Sequence, residues 1–349
     1  MLVIFENDAY SYNIRVKKHV SLKIEININS NNIYNVTLTN VTGKTTHELK
    51  SFLDPDDEKS YFSQLPHAPE YLLQKTDFVI LSKSKDYNPN FNAIGIDLGT
   101  TECCAAVIRK YGPDFVVLDQ TSNLRTMPSY VAFDEKEPKC GKIALDRMRY
   151  KSEYTVYDSK RIIGKDFERI AIDPLWPFEV LIKEGNVFLQ MKTYNNDVLQ
   201  KRPEEISAAL LLHIKKTLEQ YQGNILTEAV ITIPSEYSER QKHATKTAAK
   251  MSGFQTIHFI PEPVAAAFAY FTEINIPNLS NILICDCGGG TTDVCVAKVD
   301  IGGGCRMPMI KKLLSDVIPN AINQCSLYPD WVVAHGAALY AYHLKERNS

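Results

Sequence analysis

Two segments of the chain place an aspartate at the end of an apolar strand and follow it with glycines and threonines. The first, residues 94–101, contains Asp97, Gly99, Thr100 and Thr101. The second, residues 283–293, contains Asp286, Gly288, Gly289, Gly290, Thr291 and Asp293. Residue types in this order suit a site that holds phosphate groups and a metal ion.

Each residue type has a physical reason to be there. Glycines let the backbone bend so that its N–H groups reach phosphate oxygens. Threonine hydroxyls add further donors to the same oxygens. The carboxylates of Asp97 and Asp286 repel phosphate, so they need a cation between them, and Mg²⁺ with its water shell suits that role. We therefore predict two hairpins that face each other and hold a triphosphate.

Other interpretations of these glycine turns exist. A single Asp-x-Gly-Thr segment is a weak signal, because such stretches are common turns, and the nucleotide interpretation depends on the second copy. The chain has no G-x-x-x-x-G-K-[ST] motif and no G-x-G-x-x-G after a strand. A third glycine turn, residues 301–307, precedes Pro308 and on its own indicates only a loop that enters a helix.

The elements that must position these residues read as α/β between residues 92 and 349. Pro203 begins an amphipathic helix, Ser238 begins a second one with a capping box, and Gly253 suits the end of that second helix. A last helix covers residues 331–344. The predicted strands are residues 93–97, 105–109 and 115–118, which form an antiparallel meander, and residues 229–233 and 282–286, which are buried.

The sequence divides into three parts. Residues 1–45 alternate apolar and polar positions, most clearly at 20–28, and a turn signal before residue 33 predicts a β-hairpin. Residues 46–91 are irregular and indicate a linker with one short helix. Residues 92–349 form the α/β part.

Composition excludes several classes of function. Charged residues make up 23% of the chain and the net charge is −2, which argues against non-specific nucleic-acid binding. We find no apolar run of membrane-spanning length and no secretory signal at the start, and we expect no membrane partner. The 8 cysteines include no CxxC pair, which favours small buried residues in a reducing compartment over a zinc or disulfide framework.

Residues 92–349 resemble the ATPase domain of the seventy-kilodalton heat-shock chaperones. That domain has an actin-like, ribonuclease-H-like fold of two lobes with ATP between them. The matching segments, in family order, are Asp97–Thr101, Asn123–Phe133, Asp158–Gly164, Trp176–Phe178, Ala229–Pro234, Ile260–Ala267, the Asp286 loop, Gly302–Pro308 and Pro329–Ala338.

The resemblance implies a role for each site residue, with ATP or ADP and Mg²⁺ as ligands. Lys160 positions the attacking water, and Glu262, Asp286 and Thr291 complete the catalytic group. The metal ion is expected to be bound through water by Asp97, Asp286 and Asp293, with Glu262 beside them. The residues that the resemblance implies contact the nucleotide are Gly99, Thr100, Thr101, Gly288, Gly289, Gly290, Thr291, Gly303, Arg306 and Asp330.

The sequence departs from the family pattern in four places. Asp300 runs directly into Ile301, whereas the family has a long segment there that includes the small subdomain over the adenine, so we expect a truncated second lobe. Glu102 replaces an aromatic residue, and Lys242 replaces an arginine. Residues 23–44 resemble late strands of the family's peptide-binding β-domain, which normally follows the ATPase domain.

These departures shape the expected function. We expect an ATP-binding, chaperone-like protein of the stress response whose hydrolysis is weak or lost, and the status of the chain as an enzyme stays open. The alternatives are a regulatory pseudo-ATPase and a non-functional fragment of a chaperone gene, while a sugar kinase of the same superfold fits the motif order poorly. Co-chaperones and nucleotide-exchange factors are implied partners, client peptide binding is doubtful, and the expected location is the cytoplasm, extending to the nucleus.

Overall fold

The computed structural model describes residues 87–120, 122–273 and 327–348 and, outside them, the backbone of further strands. The strands are β1 (Leu2–Phe5), β2 (Tyr10–Lys17), β3 (Val20–Ile28), β4 (Tyr34–Asn40), β5 (Thr45–Ser51), β6 (Thr76–Phe78), β7 (Ile94–Leu98), β8 (Glu102–Arg109), β9 (Gly112–Phe115), β10 (Thr126–Pro128), β11 (Val131–Ala132), β12 (Lys139–Cys140), β13 (Thr155–Val156), β14 (Glu179–Lys183), β15 (Asn186–Lys192), β16 (Val198–Lys201), β17 (Glu228–Ile233), β18 (Thr256–Pro261), β19 (Asn281–Cys287), β20 (Thr292–Lys298), β21 (Cys305–Met307) and β22 (Ile322–Gln324). The helices are α1 (Lys142–Arg147), α2 (Ser159–Ile162), α3 (Pro203–Gln222), α4 (Glu239–Met251), α5 (Glu262–Glu273) and α6 (Pro329–Asn348).

The chain forms two compact units. The first comprises residues 1–80, 274–286 and 292–326, and the second comprises residues 81–273, 287–291 and 327–349. Neither unit is one continuous stretch of chain. The predicted division at residues 45 and 91 therefore does not coincide with these units.

The first unit contains two sheets. The predicted hairpin is confirmed as β3 and β4, which pair antiparallel with Ile24 opposite Leu38. Strand β5 pairs with β4 and continues this sheet to Ser51, so the expected linker does not begin at residue 46, because the β4 backbone has a hydrogen-bonded partner there. The other sheet has the order β22-β1-β19-β20-β21-β6, and its strand β19 confirms the predicted strand at 282–286.

The second unit is built on a mixed sheet of order β10-β8-β7-β17-β18, with β9 also paired to β8. The predicted antiparallel meander is confirmed for β7, β8 and β9. Its third strand covers Gly112–Phe115 and not residues 115–118. Arg109 pairs with Gly112, so a turn of two residues starts the strand early, and Gly112 has a φ of +128° that favours glycine.

Helices α3 and α4 pack together on one side, and α6 packs on β7, β8 and β17. The capping box is confirmed: the Ser238 hydroxyl accepts the Gln241 N–H at 3.3 Å, and Gln241 Oε1 accepts the Ser238 N–H at 3.2 Å. Gly253 follows α4 with a φ of +93°. A Cβ on Gly95 would lie 2.1 Å from the Ala338 nitrogen, so glycine allows α6 to approach the sheet.

Two small antiparallel sheets complete the second unit, with the orders β12-β11-β13 and β14-β15-β16. The largest apolar cluster joins both of them to the main sheet and to α3 and α4. Within the described ranges, no helix is long and apolar enough to cross a membrane.

Candidate functional site

The site lies where three parallel strands end. Strands β7, β17 and β18 run parallel, so their carboxyl ends meet at one edge of the sheet. Asp97 lies at the end of β7, Thr232 near the end of β17, and Glu262 directly after β18. The Thr232 hydroxyl donates a hydrogen bond of 2.8 Å to Asp97 Oδ1, so the β17 side chain fixes the carboxylate.

A buried ion pair lies beside this edge. Lys160 Nζ is 2.5 Å from Glu262 Oε1, and the two side chains are only 10% and 7% exposed. Lys160 comes from the short helix α2, which is distant in sequence. Lys160 is therefore not a solvated surface side chain, and Glu262, at the start of α5, contacts a residue 102 positions away in the sequence.

Electrostatics keep Lys160 charged. Burial alone lowers the pKa of a lysine, but the negative charges of Glu262 and Asp97 outweigh it and raise the pKa of Lys160 well above its usual range. Burial also raises the pKa of the Tyr237 hydroxyl, which donates a hydrogen bond of 3.3 Å to the Lys160 carbonyl. The site therefore presents a buried ammonium group beside Glu262 and Asp97.

The backbone before Lys160 is held by an aspartate in an unusual conformation. Asp158 has a φ of +59°, in the left-handed region. Its Oδ2 accepts hydrogen bonds from Arg161 at 2.7 Å and from the Trp176 indole at 3.1 Å. These contacts join two of the sequence motifs and help to offset the cost of the left-handed conformation at Asp158.

The turn of residues 99–101, which is predicted to bind phosphate and is here named the phosphate turn, connects β7 to β8. A Cβ on Gly99 would lie 1.9 Å from the Glu102 carbonyl oxygen, so only glycine fits. The Thr100 side chain is half-buried, and Thr101 and Glu102 are exposed. The Ser129 hydroxyl donates to the Gly99 carbonyl and the Ser129 N–H donates to the Thr101 carbonyl, both at 2.8 Å. One residue thus holds both sides of the turn.

The structure brings together only part of the predicted site. Asp97, Gly99, Thr100, Thr101, Lys160 and Glu262 lie in the second unit, around one edge of its sheet. Gly288, Gly289, Gly290, Thr291 and Gly303 lie outside the described residues, and Asp286, Asp293 and Arg306 lie in strands of which only the backbone is described. The prediction that the two hairpins face each other stays a prediction.

Asp330 is exposed in the first turn of α6, near Cys104 of β8, and its role beside the nucleotide stays a prediction. Among the side chains that the structure describes, no group of three or more His, Cys, Asp or Glu is arranged to hold a metal ion directly. The predicted metal contacts run through water and include Asp286 and Asp293.

Three residues that contact the candidate site were not predicted from the sequence. Thr232 is a polar residue near the end of an otherwise apolar strand, which was the available signal. Ser129 directly follows Pro128, and Tyr237 lies three residues after Pro234, both in loops. Nothing local in the sequence indicates that Ser129 reaches the phosphate turn or that Tyr237 reaches Lys160. Their contacts join residues separated by 30 and 77 positions.

Comparison with known proteins defines the class. The model of the family described as "Hsp70 protein" matches residues 93–303, which is more than half of the chain. The chain belongs to the Hsp70 family of heat-shock chaperones. Its α/β fold is that of the actin-like, ribonuclease-H-like ATPase domain of that family.

Individual proteins to which the chain is similar carry names of the same family. The chain is 37% identical over 213 residues to "Heat shock 70 kDa protein" of Emericella nidulans, which covers 60% of this chain and 33% of the relative. It is 36% identical over 213 residues to the protein of the same name from Neurospora crassa, covering 60% and 32%. It is 38% identical over 213 residues to "Heat shock 70 kDa protein BIP3" of Oryza sativa subsp. japonica, again covering 60% and 32%. The match spans about a third of the length of each of these relatives.

Proposed function

We propose that the chain binds ATP or ADP together with Mg²⁺ at the carboxyl edge of the β7–β17–β18 sheet. The observation that carries this proposal is the buried Lys160–Glu262 pair beside Asp97, at 2.5 Å between Nζ and Oε1. Burying two charges costs several kcal/mol per ion before their attraction is counted. Such a pair next to a further carboxylate suits a site for a charged ligand better than it suits a stabilising core.

The residues present fit a magnesium nucleotide. Asp97 offers carboxylate oxygen, the ligand type that Mg²⁺ prefers, and Thr232 holds that carboxylate in place. The turn at Gly99 closes tightly on the Glu102 carbonyl and leaves no room for a side chain, a geometry compatible with backbone N–H groups directed at a phosphate. When bound, the metal would neutralise phosphate charge. Thr100 and Thr101 would donate to phosphate oxygens, and Lys160 would orient a water molecule near the terminal phosphate.

We propose weak or absent hydrolysis, because the chain lacks the family's long segment between Asp300 and Ile301. In the family resemblance this segment covers the adenine, and losing those contacts lowers affinity and loosens placement of the triphosphate. A regulatory pseudo-ATPase that binds nucleotide without turnover is the second candidate, and the same observation favours it. From the family we also propose co-chaperones and nucleotide-exchange factors as partners. The proposed location is the cytoplasm, extending to the nucleus.

Single-turnover hydrolysis tests the catalytic part. Trace labelled ATP with Mg²⁺ is mixed with excess protein, and released phosphate is followed over hours. We expect a slow rate that falls at least about tenfold in Lys160→Ala, the loss typical of one electrostatic contact. An exposed control, Lys136→Ala, should leave the rate unchanged. Equal rates in the wild type and Lys160→Ala would show that the activity does not arise at this site.

A further inference from the structure

The phosphate turn is supported by a chain of hydrogen bonds inside the second unit. Ser129 is 3% exposed, and its hydroxyl donates to the Gly99 carbonyl at 2.8 Å. The same hydroxyl oxygen lies 3.3 Å from Cys103 Sγ. Cys103 is fully buried on β8, at the far side of the turn from Gly99.

The donor in the contact between Ser129 and Cys103 follows from counting protons. A serine hydroxyl has one O–H, and that of Ser129 is used towards Gly99. The contact with Cys103 therefore requires the thiol to donate to Ser129 Oγ. Burial raises the pKa of the Cys103 thiol to about 11, so the thiol keeps its proton at neutral pH.

We propose that Cys103 and Ser129 are positioning residues for the phosphate turn. The thiol orients the serine hydroxyl, and the hydroxyl fixes the Gly99 carbonyl and with it the peptide planes of residues 99–101. The Ser129 N–H fixes the other side through the Thr101 carbonyl. The turn is thus held in its ligand-binding shape before any phosphate arrives, which reduces the ordering cost of binding.

This inference rests on the proposed function where it concerns affinity, but its structural part stands alone. Ser129→Ala removes the hydroxyl and keeps the backbone N–H. Cys103→Ala removes the donor, whereas Cys103→Ser keeps an O–H donor at the same position. The matched control is Ser252→Ala, because Ser252 is also a buried serine whose hydroxyl donates to a backbone carbonyl, at 2.7 Å from Ala249 O.

Two readouts separate the two claims. Amide hydrogen exchange of the peptide that covers residues 98–103, without nucleotide, reports the shape of the turn. Calorimetric titration with ATP and Mg²⁺ reports affinity. We expect Ser129→Ala to speed exchange in this peptide and to weaken ATP binding about five- to tenfold, the worth of one hydrogen bond. Cys103→Ala should show a smaller effect of the same kind, while Cys103→Ser and Ser252→Ala should match the wild type.

The possible outcomes distinguish a failure of the positioning role from a failure of the nucleotide function. If the wild type binds ATP and Ser129→Ala binds equally well, the positioning role is overturned while the nucleotide function stands. If the wild type does not bind ATP, the proposed function fails, and exchange at residues 98–103 alone decides whether the hydrogen-bond chain shapes the turn. Unchanged exchange in Ser129→Ala overturns the inference in either case.

Discussion

Replacing Glu262 by glutamine should destabilise the second unit strongly, because it leaves the Lys160 ammonium buried without its partner. At 2.5 Å between Nζ and Oε1, the gross attraction is about 7 kcal/mol with an effective dielectric constant of about 20. Desolvation offsets most of this. Removing one member of a buried pair nevertheless costs about 3–5 kcal/mol, since the remaining charge stays buried. Asp97 also faces Lys160, so we take the lower end, about 3 kcal/mol.

The assay is thermal unfolding by calorimetry without nucleotide. A loss of about 3 kcal/mol corresponds to a fall in melting temperature of roughly 6–12 °C for a unit of this size. The double variant Lys160→Met/Glu262→Gln should regain much of that loss, because it leaves no uncompensated charge. The control pair is Lys242 and Glu239, which lies on the surface with Glu239 88% exposed, and its substitution should cost under about 1 kcal/mol.

The dependence on pH has a defined sign. The folded-state pKa of Lys160 is raised, so the stabilisation from this pair is fully present below the unfolded lysine pKa of about 10.4. It is lost only as the pH rises through the folded-state pKa. The difference between wild type and Glu262→Gln should therefore stay flat from about pH 6 to 9. If Glu262→Gln lowered the melting temperature no more than substitution of the surface pair Lys242 and Glu239 does, the reasoning would be refuted.

Three further predictions concern the second unit. Gly336→Ala should cost about 3 kcal/mol or more, because a Cβ there would lie 1.6 Å from the Ala265 carbonyl oxygen, and thermal melting with soluble yield checks this. Cys103 should resist alkylation by iodoacetamide at pH 8 in the native state and react once denatured, since burial keeps its thiol protonated, and peptide mass mapping reports the difference. Burial opposes ionisation of Asp134, but hydrogen bonds from Arg147 and Lys151 outweigh it and lower its pKa. Asp134→Asn should therefore cost about 2 kcal/mol at pH 7, a difference that shrinks as the pH falls below about 4, and melting curves across that range decide it.

The local parts of the fold were predictable from the sequence. The capping box at Ser238 and the alternation along β3 report on neighbours within a few residues, and both are confirmed. The glycine turn after Asp97 was also predictable, because the space that Gly99 needs is set by Glu102, three residues further along the chain. The start of β9 was misplaced, because Gly112 and Pro113 indicate a turn and proline argues against a strand, yet both residues pair with β8.

The supporting contacts of the site were not predictable in this way. The hydroxyl of Thr232 meets Asp97 only because β7 and β17 pair parallel in one particular register, which no local pattern specifies. The Ser129 and Tyr237 contacts likewise depend on how separate loops return to the sheet. Sequence patterns thus suggested the groups proposed for the chemistry, while the groups that hold them required the structure.

Titration of the protein with ATP and Mg²⁺, in parallel with the Asp97→Asn variant, tests the nucleotide assignment most directly. We predict saturable binding at one site, in the micromolar to millimolar range, and at least a tenfold loss in the variant, because a neutral amide no longer balances the metal charge. Absence of heat at millimolar ATP, or equal binding by the wild type and the variant, would contradict the assignment.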